Sequence, residues 1–106
     1  MTYTTLDKSP DDDMPYDWNF TNEDVFLLDL IATVTVTDWS GAALVGITVT
    51  PATIDAVAQA ARIVQTRISG GTHGVAYQIK LKATSVLGYD RDAFLLLRVR
   101  RAVVPV

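Results

Sequence analysis

The chain has no cysteine, a single histidine and no apolar run that approaches the length of a bilayer span. The missing cysteines exclude disulfide staples and thiolate metal sites. Its apolar runs, such as Val25 to Leu28 and Ala93 to Leu97, fall far short of the roughly 20 residues that cross a membrane. The N-terminus has no basic-then-apolar segment of the kind that directs export. Together these absences predict a soluble protein made and folded in a cytoplasm, with no membrane contact. The 106 residues suit one domain, because a chain of this size buries about two-thirds of its unfolded surface and needs no staple to hold one core.

Enzyme chemistry is equally short of parts. His73 has no second histidine or cysteine to share a metal with, and no GxSxG elbow places a serine nucleophile beside it. The stretch GGTHGVAY (70–77) is glycine-rich, but a phosphate-cradling loop must lead into a helix N-terminus with Lys and Ser or Thr at fixed positions, whereas this one leads into a strand. Asp11, Asp12 and Asp13 are contiguous, while calcium loops space their oxygen ligands at alternate positions around a glycine. They read as a solvated acidic arm. Asp90 and Asp92 flank Arg91 at a turn, and local turn stabilisation accounts for them without an acid–base pair. Arg98, Arg100 and Arg101 form a small basic group, but a pI near 4.8 argues against a dedicated nucleic-acid binder. The expectation is a chain with no catalytic residue, no cofactor and no metal, hence not an enzyme.

What is present is a lopsided charge distribution. Residues 1–38 hold nine acidic side chains against one basic, a net of −8, while residues 39–106 hold eight basic against three acidic, a net of +5. Two readings stay open. Either the halves form separate poles that let one copy meet the next head to tail, or both sets of charge solvate one molecule.

Alternation at a period of two dominates the rest. Residues 1–15, polar and bracketed by Pro10 and Pro15, read as an arm and not as a packed element. Tyr16, Trp18 and Phe20 share one face of a short strand, and TNED (21–24) is a turn. From Asp29 a longer strand sets Leu30, Ala32, Val34 and Val36 against Ile31, Thr33, Thr35 and Thr37. Val45, Ile47 and Val49 alternate until Pro51. Residues 52–61 have helical spacing as well as flanking strands and stay open between helix and strand, whereas 62–69 read as β. Val75, Tyr77, Ile79, Leu81 and Ala83 face inward on the next strand, a turn follows at 87–91, and the last strand points Ala93, Leu95, Leu97 and Val99 inward. Phe94 and Leu96 then point outward beside Arg98 and Arg100, which predicts a surface covered by a partner or by the N-terminal arm. Short, evenly spaced strands without a βαβ unit predict an all-β protein, an immunoglobulin-like antiparallel β-sandwich with an extended N-terminal arm. The expected layout is an arm over 1–15, a sandwich over 16–101 and a tail over 102–106.

Two stretches carry a resemblance. Lys8, Pro10, Asp11 and Tyr16-Asp17-Trp18 at one end, and Ser69-Gly70-Gly71-Thr72, Gly74 and Tyr77 at the other, with a closing RVR at 98–100, resemble the fibre-tail adaptor proteins of tailed-bacteriophage necks. The chain departs from that family's pattern in the alanine-rich AVAQAARIVQ and in Leu87-Gly88-Tyr89-Asp90-Arg91, where a Gly-Gly-Arg-like turn is usual. The resemblance implies a structural virion protein, made in a bacterial host's cytoplasm. It would be present in several copies around the tail axis and touch other neck, portal, connector, tail or fibre proteins. On that reading Asp11, Asp12, Asp13, Phe94, Leu96, Arg98, Arg100 and Arg101 form the subunit or partner interface. Gly70, Gly71, Gly74 and Tyr77 form a structural turn and corner, with Tyr77 hydrogen-bonding back to that corner. The rival reading is a virion surface or adhesion module that binds carbohydrate through Trp39 and Tyr89 at a loop end.

Overall fold

A computed structural model describes residues 3–20, 31–51 and 63–100. Seven strands appear among them: β1 (Thr4–Lys8), β2 (Met14–Asn19), β3 (Ile31–Thr37), β4 (Ile47–Pro51), β5 (Ile63–Gly70), β6 (Ala76–Ser85) and β7 (Asp90–Val99). They form two sheets, one ordered β1-β7-β6-β3 and the other β2-β5-β4. All neighbours run antiparallel except β1 and β7, which run parallel with Leu6 opposite Leu97. The protein is an all-β sandwich, and the strand order is consistent with the immunoglobulin-like arrangement that the alternation predicts. The turn expected at TNED (21–24), Leu30, the ambiguous 52–61 and the tail at 102–106 lie outside the described residues.

One core joins the two sheets. Trp18 and Phe20 follow from the aromatic alternation of β2 and are 3% and 2% exposed; Val64 and Ile68 come from β5, and Ile79, Leu81, Ala83, Leu95, Leu97 and Val99 come from β6 and β7. Each large aliphatic side chain so buried contributes about 1.5–3 kcal/mol. The polar group between β2 and β5 is satisfied: the buried Thr66 hydroxyl accepts from Trp18 Nε1–H at 2.9 Å and donates to the Tyr16 carbonyl at 2.9 Å. That hydroxyl fixes β2 against β5 through its side chain as well as through the ladder. Pro15 is tolerated inside β2 because this strand lies at the edge of its sheet, where a missing N–H costs no ladder bond on the outer side.

Three expectations change. The N-terminal arm is extended, but its residues 4–8 are packed: β1 lies in the sheet with Leu6 and Lys8 turned inward, so the sandwich body starts before residue 16. The alternation hides this strand because its second inward residue is a lysine. In β3 the register slips between Ile31 and Thr33, so Ile31 is buried on the same side as Val34 and Val36 while Ala32 is exposed. A bulge of one residue reverses the parity that strict alternation predicts. Just ahead of β6, Val75 is exposed and not inward.

Replacing Thr66 with Val leaves the Trp18 N–H and the Tyr16 carbonyl without their partner, and is expected to lower stability by about 1–3 kcal/mol. Urea unfolding followed by Trp fluorescence should show a lower midpoint at an unchanged slope. Adding Trp18→Phe to the same chain should cost less than the sum of the two single changes.

Candidate interaction surface

The two motifs singled out in the sequence meet at one corner. Lys8, at the end of β1, is 4% exposed, and its ammonium donates to the carbonyls of Ser9 at 2.7 Å and Gly70 at 2.8 Å. A buried ammonium must keep acceptors around it, so the lysine ties the edge of one sheet to the end of β5 in the other. The corner that follows uses Gly70, Gly71 and Gly74 at φ of 78°, 100° and 85°. At Gly71 the reason is steric as well as conformational, since a Cβ there would stand 2.8 Å from Val99 Cγ2. Thr72 N–H donates to Tyr77 Oη at 2.9 Å, and Gly74 N–H donates to the Val99 carbonyl at 2.8 Å. His73 is exposed at the tip of this turn.

The outer face of the four-stranded sheet carries the surface features. Phe94 and Leu96 point outward as read, but β7 is an interior strand and Phe94 is half-buried. What covers it is the chain itself. Trp39, from the loop after β3, meets Phe94 edge-on at a centroid distance of 5.9 Å and Tyr3, ahead of β1, at 5.2 Å. Trp39 is pinned by donating Nε1–H to the Ile79 carbonyl at 3.3 Å. Sequence reasoning missed this strip of rings because Tyr3 and Trp39 stand outside any alternating segment. On one side of it Ala43, Leu44, Val45, Gln78 and Leu96 border an open cleft of about 330 Å³. On the other, Thr35, Thr37, Gly41, Lys80 and Lys82 border a hollow of about 270 Å³. Asp38 shapes the loop between them. Its Oδ1 accepts from the Ser40 hydroxyl at 2.6 Å, from Ser40 N–H at 2.8 Å and from Ala42 N–H at 3.0 Å, and these donors, the Ser40 hydroxyl foremost, hold its carboxyl below the usual carboxylate range.

The charged residues expected at an interface divide. Arg98 clamps Asp7 with Nε–Oδ1 at 2.8 Å and a second bond at 3.2 Å, and Asp13 pairs with Arg67, so acidic and basic halves are partly consumed within one molecule. Asp11 and Asp12 are exposed in the turn closed by Asp12 N–H on the Ser9 carbonyl, and Arg100 is exposed. Arg101 lies outside the described residues. Trp39 and Tyr89 are not brought into one platform. Tyr89 belongs to the β6–β7 hairpin beyond Ser85, six residues along β6 from Ile79, a spacing of about 20 Å. Among the described residues no three His, Asp or Glu side chains are grouped so that they could hold a metal ion. The sequence matches no protein-family model and no curated protein.

Two outcomes test the corner and the loop. Gly71→Ala should destabilise the chain by about 2 kcal/mol or more, because strain adds to the Val99 clash, whereas Gly74→Ala, with open space around it, should cost about 1 kcal/mol; thermal unfolding separates them. The lowered folded pKa of Asp38 means that its contribution is complete above the unfolded value and is lost as pH falls through the folded one. The Ser40 and Ala42 amide resonances should therefore titrate with a midpoint below that of an unstructured aspartate.

Proposed function

We propose that the chain is a structural adaptor of a tailed-phage virion. It holds a position at the neck through protein–protein contacts, in several copies around the tail axis, and performs no chemistry. Its partners are other neck, portal, connector, tail or fibre proteins. The reading rests on the resemblance of the KSPDDDMPYDW and SGGTHGVAY stretches to fibre-tail adaptors, and one observation supports it above the rest: Lys8, Trp18, Gly71 and Tyr77 of these stretches are spent on folding. The Lys8 ammonium lies on the Gly70 carbonyl, Gly71 backs onto Val99, Tyr77 Oη takes Thr72 N–H, and Trp18 is bonded to Thr66. Motif residues used this way mark a scaffold whose working surface lies elsewhere, on the outer sheet face around Leu96 and Val45.

Phe94 is a poor position for a test because it supports Trp39. Leu96→Ser with Val45→Ser alters the open cleft and leaves the core alone. The doubly changed chain should fold with an unchanged circular dichroism spectrum, yet enter purified particles at least about tenfold less than the unchanged chain by quantitative mass spectrometry. Undiminished incorporation, or absence of the unchanged chain from particles, overturns the reading.

A further inference from the structure

Intrachain pairing partly compensates Asp7, Asp13, Arg67 and Arg98. What remains among the described residues includes a pair of adjacent carboxylates and a pair of lysines at separate places, with Arg100 near the former and Asp92 beside the latter. Asp11 and Asp12 project from the turn that leaves β1, at one edge of the four-stranded sheet, and neither carboxylate pairs with a cation among the described residues. Lys80 and Lys82 sit on β6 beside β3, at the other edge, and line the hollow with Thr35 and Thr37. In register, Lys80 stands between Thr37 and Phe94 and Lys82 between Thr35 and Asp92. Asp92 is exposed, and neither lysine forms an ion pair among the described residues. Thr37 spends its hydroxyl proton on the Asp38 carbonyl, so the hollow offers two ammonium groups and the Thr35 hydroxyl as donors. None of the described residues that line it is acidic.

The geometry points to a heterologous contact between copies: the Asp11–Asp12 turn of one chain seats in the Thr35, Thr37, Lys80, Lys82 hollow of the next. Charge complementarity selects the occupant, since a turn bearing two adjacent carboxylates matches a hollow bearing two lysines. Placement makes the contact intermolecular: β7 separates β1 from the strands of the hollow, and the turn leaves β1 at the level of Val99 while the lysines stand at the level of Phe94 and Asp92, five to seven residues away along β7. A patch that meets a different patch on its neighbour propagates head to tail and closes into a ring when the rotation allows. The inference rests on the reading that the chain works through protein contacts, and it names one partner, a second copy.

Sedimentation equilibrium of the full chain, up to about 1 mM, tests it. The unchanged chain is expected to self-associate, and raising sodium chloride from about 50 to 500 mM should weaken that association at least tenfold. Asp11→Lys with Asp12→Lys, and separately Lys80→Glu with Lys82→Glu, should each leave a folded monomer. An equimolar mixture of the two should associate again, an outcome that misfolding of either variant cannot produce. A chain that stays monomeric, an association indifferent to the reversals, or a mixture that stays apart overturns the contact. Particles that contain a chain monomeric in solution overturn this contact and leave the adaptor reading standing. Charge-dependent self-association of a chain absent from particles supports the contact and overturns the adaptor reading.

Discussion

The buried Lys8 ammonium constrains more of this molecule than any other single group. Once β1 lies against β7, the lysine side chain points into the sandwich, and a charge there needs acceptors. The carbonyls of Ser9 and Gly70 supply them. Gly70 can present its carbonyl because the backbone turns through a left-handed conformation at that point, and Gly71 repeats the conformation while leaving room for Val99. The end of β7 is caught in the same corner, with Arg100 N–H donating to the Lys8 carbonyl and Gly74 N–H to that of Val99. First strand, last strand and the crossing from β5 to β6 are thereby positioned by one another.

A parallel edge strand with mostly exposed side chains would otherwise be weakly held. Only Leu6 and Lys8 of β1 turn inward, and the outward Asp7 contributes an ion pair with Arg98 that is exposed and of modest worth. Docking of β1 also has consequences for the surface. It brings Tyr3 onto Trp39, and so completes the strip of rings that covers Phe94. The strip separates an apolar cleft from a basic hollow, and the two sides of the face differ in the chemistry they offer a partner.

Much of the fold was legible. β2, β5, β6 and β7 follow from alternation alone, because each has one face in a shared core and a period of two leaves an unmistakable trace. Where the trace was misleading, local causes explain it. Lys8 stands at an inward position and disguises β1 as polar arm; one extra residue near Ile31 shifts the parity of β3; Val75 precedes the paired part of β6. For the surface, the outward placement of Phe94 and Leu96 was readable, as was the charge asymmetry. That Phe94 is covered from within, and that Asp7 and Asp13 find their cations in the same molecule, was not, because such contacts join residues far apart in the chain.

The sequence by itself determined the class of structure, the inward faces of the central strands and the glycine corner, since each follows from side-chain periodicity or from a backbone conformation that one residue type tolerates. Tertiary structure decided the pairing of β1 with β7, the destination of the Lys8 ammonium and which charges remain for a partner. These depend on strand order and register, which bring residue 7 to residue 98 and residue 8 to residue 70. No local pattern encodes such distances, because they arise only when two sheets close over one core.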